Sequence, residues 1–297
     1  MKSFVTVNVT LLLLLLSACS QNPERHFQNI ESKYDLRLGV AALNLTTGAE
    51  IYYKADSLFA LASLIKTPVL VELYRQYEDG YLDPATELVV DSTNIYPGSG
   101  TLQNETLPYA TSLHEAAIRM ITVSDNTGTN LVFDQLGPDH DACLDSVNTT
   151  MRSLGLSQTE MINKPFGFDT RKDTPFARRY GIGASTPREM MTLFAMLARG
   201  EIISEAVSEA MIDIHKKQKY HDFAPRYLPV TGHDLSFANK TGAISTVRTD
   251  AGLIFTETDT IAFAVLVDMV DDPEGGEDHK GNLALSEAAK ILYDVLH

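Results

Sequence analysis

The apolar positions of the chain change rhythm twice, and each rhythm predicts a different kind of element. From Pro23 to Tyr34, the residues Phe27, Ile30 and Tyr34 fall at i, i+3 and i+7, the face of an N-terminal helix. Residues 36–45 and 49–55 are rich in strand formers, and Thr46-Thr47-Gly48 between them completes a hairpin pattern. The middle of the chain turns helical at Ser63, and the first of these helices stops at Gly80. Ser112 with Glu115, and Thr186 with Glu189, are capping boxes that open two more helices, the second with Pro187 at its first helical position. Strand character returns at Leu235, with two long strands joined by a polar turn at 256–260. Residues 281–297 close the chain as an amphipathic helix.

Strands at both ends with helices between them imply an α+β architecture. An antiparallel sheet is assembled from both chain ends and flanked by terminal helices, an all-helical lobe is inserted, and a cleft lies at the lobe junction. The sheet lobe is expected over residues 23–60 and 213–297 and the helical lobe over 61–212. No Pro- or Ser-rich linker and no repeat divides them, so residues 19–297 read as a single domain. Residues 1–18 combine Lys2, an apolar run to Leu16 and small residues, the pattern of an export signal. The run is short of the roughly 20 apolar residues a spanning helix needs. Leu16 to Cys19, LSAC, resembles the lipobox of bacterial lipoproteins, which implies that Cys19 carries lipid and holds the exported chain to the membrane at the periplasmic face of the envelope.

Of 297 residues, 44% are hydrophobic, ample for a packed core. The formal charge of −15, with few basic clusters, speaks against a nucleic-acid partner, so any anion site must be local. With Cys19 lipidated, Cys143 has no disulfide partner and reads as a small buried hydrophobe. The eight histidines show no ligand spacing. The stretch 215–221 reads as a solvated helix end, and the acidic run 268–279 as a solvated turn. Neither a metal nor a cofactor is expected.

Candidate chemistry begins in LFALASLIKTPVL, residues 58–70, where Ser63 and Lys66 lie three apart and share a helix face. An S-x-x-K alone arises about once by chance in a chain of this length. Ser124-Asp125-Asn126 follows a capped helix and Lys240-Thr241-Gly242 sits on a returning strand; each triplet arises by chance only about once in several dozen such chains. The three motifs, in this order and on these elements, are those of class A β-lactamases and penicillin-binding proteins. Over essentially its whole mature length the sequence resembles the class A β-lactamase-like serine hydrolases, with residues 97–103, 124–137, 185–190 and 246–255 adding to the likeness.

The resemblance implies a β-lactamase/transpeptidase-like fold and an acyl-serine intermediate on Ser63. A serine hydroxyl must lose its proton as it attacks a carbonyl. Lys66 can accept that proton only when itself unprotonated, which burial and the charge of Lys240 both favour. Ser124 then relays a proton to the departing nitrogen, and Asn126 bonds both Lys66 and a substrate amide. By resemblance, Asp125 is structural, and the backbone N–H groups of Ser63 and Ala243 receive the oxyanion. Lys240, Thr241 and Arg248 form a wall suited to a substrate carboxylate.

One part of the family pattern is missing. Class A enzymes hydrolyse the acyl group with water activated by a glutamate in an E-x-x-L-N loop, and residues 154–185 contain no such motif. Pro165 falls where the glutamate is expected. The loop carboxylates are Glu160, Asp169 and Asp173, with Asp169 the candidate to hold the water. Without a base, the acyl-enzyme forms and persists, for lack of the 10²- to 10⁴-fold typical of general-base help. The expectation is a monomeric serine hydrolase of β-lactams. The alternatives are a D-alanyl-peptide hydrolase acting on peptidoglycan peptide and a covalent penicillin binder that hardly turns over.

Overall fold

A computed structural model describes residues 23–229, 235–273 and 276–297; residues 1–18 and Cys19 lie outside the described residues. Helix α1 (Pro23–Tyr34) leads into the hairpin β1 (Arg37–Asn44) and β2 (Glu50–Tyr53). A short β3 (Phe59–Ala60) and a 3-10 turn (Ala62–Ile65) deliver the chain to α2 (Lys66–Glu78). The helical lobe continues through β4 (Glu87–Val90), β5 (Tyr109–Ser112), α3 (Leu113–Thr122), α4 (Asn126–Phe133) and α5 (His140–Ser153). It ends with β6 (Glu160–Met161), α6 (Pro175–Tyr180), β7 (Gly183–Ser185), α7 (Pro187–Ala198) and α8 (Glu205–His215). Strands β8 (Ser236–Ile244), β9 (Val247–Phe255) and β10 (Thr260–Asp268) then return to the sheet, and α9 (Lys280–Leu296) closes the fold. The sheet order is β2-β1-β10-β9-β8, antiparallel throughout, so it is built from both chain ends as expected.

Both faces of this sheet are covered, which is why β10 is apolar at almost every position. Ile261, Phe263, Val265 and Val267 pack toward α1 and α9, whereas Ala262, Ala264 and Leu266 pack toward the helical lobe. On the lobe face, Ala262 and Ala264 leave room for α7 to lie against β10. Gly39 belongs to the same device: a Cβ there would lie 2.5 Å from the Phe59 ring and 2.8 Å from Pro187 Cγ. In the lobe, α2 is buried nearly all round, with Val69, Leu70, Val71 and Leu73 in the core. Its buried Glu72 accepts hydrogen bonds from Arg75 (2.7 Å), Gln76 (2.6 Å), Ser146 (2.6 Å) and Thr150 (2.5 Å), which ties α2 to α5 and leaves no unpaired charge.

Both capping boxes close by half. Ser112 Oγ and Thr186 Oγ1 accept from the N–H groups of Glu115 and Glu189, each at 3.1 Å. The two glutamates turn elsewhere, Glu115 to Arg119 and Glu189 to Gln158 N and Thr159 Oγ1. Two readings are corrected. His215 is fully buried, not solvated, because α8 ends against α2 and its ring bonds Thr67 Oγ1 (3.1 Å) and Met211 O (2.8 Å). Asp268 opens the acidic run but is buried beneath two guanidiniums, Arg37 in a bidentate pair and Arg179, all at 2.7 Å. That carboxylate clamps the end of α6 to the end of the central strand.

Candidate active site

Ser63 sits in the 3-10 turn rather than in the α-helix that follows. In a 3-10 turn, side chains three apart eclipse, so the turn aims Ser63 and Lys66 the same way more directly than an α-helix would. The residue before the serine, Ala62, is held at φ +46°, and Ser124 at φ +54°. Two non-glycine residues in the left-handed region at one site mark backbone constrained by its surroundings. The packing shows the constraint. Thr249 Oγ1 donates to Leu61 O (2.9 Å), and Gly242 passes so close that a Cβ would lie 2.4 Å from Leu61 O and 2.9 Å from Leu64 N. The glycine of the K-T-G triplet is therefore a spacing requirement: it lets β8 lie against the turn that carries the nucleophile.

Lys66 is fully buried and its amine meets Ser124 O (2.7 Å), Asn126 Oδ1 (2.9 Å) and Ser124 Oγ (3.2 Å). Lys240, equally buried, reaches the same Ser124 Oγ at 3.2 Å and Thr241 O at 2.6 Å. Burial first, and the Lys240 charge second, push the Lys66 amine well below its usual value. Burial brings Lys240 down to about 7, opposed by the nearby Asp250 carboxylate. A neutral amine has two N–H groups, which Ser124 O and Asn126 Oδ1 satisfy, leaving its lone pair to accept a proton. Ser124 Oγ bridges the two lysines. The Ser63 hydroxyl makes no hydrogen bond among the described residues; contacts of this kind are commonly long in a free enzyme and close when substrate binds.

The remaining motif residues take distinct places. Asn126 Nδ2 gives one N–H to Pro97 O (2.9 Å), so its second N–H remains for a substrate carbonyl. Asp125 caps α4 through Gly128 N (2.8 Å) and receives Thr101 N (2.6 Å) and Leu102 N (2.8 Å), a structural role. Ser63, Ser99 and Ala243 border both arms of the cleft. The smaller arm, about 310 Å³, is also lined by Ser124, Tyr220, Asp222, Thr241, Arg248 and Asn282. There Arg248 Nε donates to Asn282 Oδ1 (2.8 Å) and its NH1 to Val247 O (2.8 Å) and Ile244 O.

The larger arm, about 450 Å³, runs under the loop that precedes α6. Its lining includes Pro165, Phe166, Phe168, Arg171, Tyr180 and Ile244, and no carboxylate among the described residues. Asp169 and Glu160 are exposed and outside that lining, and Asp173 is paired with Arg178 at 2.8 Å. Asn130 Nδ2 holds Pro165 O (2.7 Å), while the buried Asn130 Oδ1 has no partner. Proline has no N–H to return to it.

The sequence matches the profile of the beta-lactamase enzyme family over residues 22–296. The chain belongs to this family. It is 26% identical to Beta-lactamase FAR-1 of Nocardia farcinica over 276 residues, covering 91% of this chain and 82% of that one. A β-lactamase structure from Sphaerobacter thermophilus superposes with a TM-score of 0.80 at 24% identity, covering 92% of this chain and 96% of that one. A mutant of PBP-A, in acyl-enzyme complex with penicillin-G, superposes at 0.78 with 26% identity and the same coverage.

The fold brings Ser63, Lys66, Ser124, Asn126, Lys240, Thr241, Ala243 and Arg248 to one cleft, and Asp169 stays outside it. Cys143 is buried, with its thiol pushed up to about 11 by burial. The sequence reading missed Ser99, whose hydroxyl donates to Ser124 O (2.7 Å). Its signal was the flanking Gly98 and Gly100, both at positive φ; Gly100 backs onto Asp125, where a Cβ would lie 2.3 Å from Cγ. It also missed the aromatic lining of the larger arm, which no spacing rule marks.

Proposed function

We propose that the protein hydrolyses β-lactams through an acyl ester on Ser63, with release of that ester as the slow step. The observation that carries the reading is the buried Lys66–Ser124–Lys240 chain beside Ser63, in which Ser124 Oγ lies 3.2 Å from both amines. Lys66 Nζ takes the Ser63 proton as Oγ bonds the lactam carbonyl carbon. The oxyanion faces the backbone amides of Ser63 and Ala243. As the C–N bond breaks, Ser124 Oγ hands a proton to the departing nitrogen and is resupplied from Lys66. Lys240, Thr241 and Arg248 hold the substrate carboxylate. Water then attacks the ester, with no carboxylate in the lining of the larger arm to activate it.

Export, lipid attachment at Cys19, residence at the periplasmic face of the envelope and a monomeric state are the finer parts of this reading. The first three are supported by the composition of residues 1–19. Intact-mass spectrometry after incubation with benzylpenicillin tests acylation and its lifetime together. One penicilloyl adduct per chain is expected, absent from Ser63→Ala and decaying over minutes or longer. Turnover of a chromogenic cephalosporin by Ser63→Ala at the wild-type rate would sink the mechanism. A burst of one equivalent with no turnover afterwards would favour the covalent-binder alternative.

A further inference from the structure

The larger arm of the cleft carries an arrangement that acylation of Ser63 leaves unused. Phe166 and Phe168 stand edge to face, with ring centroids 6.1 Å apart. Phe168 is 74% exposed and Phe166 is 37% exposed, so neither ring is placed there by core packing. Phe166 also sits at φ +53°, a conformation a bulky residue rarely holds. Its ring spans the cleft to Gly98, where an added Cβ would come within 3.6 Å of it. Beside the two rings, Arg171 lines the same arm and makes no hydrogen bond or ion pair among the described residues. Its neighbours in the loop are committed: Lys164 to Asp134 at 2.8 Å, and Asp173 to Arg178 at 2.8 Å.

We propose that this arm selects β-lactams whose acyl side chain joins an aromatic ring to a carboxylate, the ring against Phe166 and Phe168 and the carboxylate at Arg171. The inference rests on the acyl-serine reading above. Offset and edge-on contacts suit an aromatic ring on such a surface, and a guanidinium matches a carboxylate with two parallel hydrogen bonds. In a chain of net charge −15, a second anionic group on the substrate gains nothing from the general field. A discrete cation at the right place decides whether it is accepted.

The test compares benzylpenicillin with α-carboxybenzylpenicillin, which share the ring and differ by the carboxylate. The readout is the second-order rate of acylation, followed by intact mass and kinetics in the wild type, Arg171→Ala, Arg171→Glu and Arg171→Lys. The ratio of the carboxylated to the plain penicillin is expected to fall about fivefold in Arg171→Ala and by more than tenfold in Arg171→Glu. Arg171→Lys should restore part of it. Phe166→Ala should slow both penicillins. A ratio that stays within twofold of wild type in both Arg171→Ala and Arg171→Glu overturns the inference while the acylation reading stands. If neither penicillin forms an adduct on the wild-type chain, the acylation reading falls and this inference falls with it.

Discussion

The two sides of Ser63 are built to different standards. Toward Lys240, Lys66 and Lys240 are buried, Arg248 is half-buried, and each is held by at least one named partner: Lys66 by Ser124 and Asn126, Lys240 by Ser124 and Thr241, Arg248 by Asn282. Toward the loop, Phe166, Phe168, Asp169 and Arg171 are exposed, and the buried Asn130 Oδ1 has no donor. Groups fixed before the substrate arrives cost no reorganisation during the reaction, which is where most electrostatic catalysis comes from. One side is preorganised, and the other, among the described residues, lines its arm with no carboxylate. Four changes test that asymmetry.

Removing the proton acceptor should have the largest effect. Lys66→Ala is expected to slow acylation by about 10³-fold or more, since it deletes the base and strands Asn126 Oδ1 in a buried site. Pre-steady-state adduct formation measures it; a loss below tenfold would mean that another group takes the Ser63 proton. Next comes a gain on the other side. Pro165→Glu puts a carboxylate into the lining of the larger arm. Adduct decay should accelerate by about 10²-fold with acylation little changed. If decay does not move, the slow step on that side has a cause other than a missing base.

The pH profile divides the two lysines. Lys66 works neutral, so acylation rises as pH climbs through its depressed pKa. Lys240 works charged, so carboxylate binding is lost as pH rises through about 7. The free enzyme's kcat/KM should therefore fall by about tenfold per pH unit on a basic limb centred near pH 7. A bound carboxylate favours the ammonium, so the limb in kcat should lie higher. In Lys240→Arg the guanidinium stays charged and the basic limb should move up by about two units or more. An unmoved limb would assign it to a different group.

Much of the acylating side was legible in the sequence because Ser63 and Lys66 lie three apart and because S-x-x-K, S-D-N and K-T-G come in the order and on the elements the resemblance implies. The N-cap bonds of Asp125 and the close approach of Gly242 to the 3-10 turn are seen only in the fold. The sheet was legible from the two terminal strand patterns, and the absent glutamate from setting residues 154–185 beside the E-x-x-L-N motif that the resemblance implies. Contacts between distant segments were not. His215 reads as a polar helix end until α8 is seen to stop against Thr67. Asp268 reads as part of a solvated acidic run until Arg37 and Arg179 converge on it from positions 231 and 89 residues away. The Phe166 and Phe168 pair has no helical or strand period, and its meaning comes from the cleft it borders.

The smallest expected effect belongs to Asp169. The sequence offered it as a holder of the hydrolytic water, because it is a carboxylate in the right loop. In the fold its side chain is exposed, lies outside the residues bordering the larger arm and contacts neither Lys66 nor Ser63. A general base must come within about 3 Å of the proton it removes, directly or through one water. Asp169→Asn keeps the shape while deleting the charge and the basic oxygen, so it removes the group's capacity to take a proton. Decay of the penicilloyl adduct should stay within about twofold of wild type, the size of a remote surface charge effect. A tenfold slowing would instead mean that the loop closes on the acylated enzyme and brings Asp169 inward. The two sides of Ser63 would then differ in when they are organised, and no longer in whether they are.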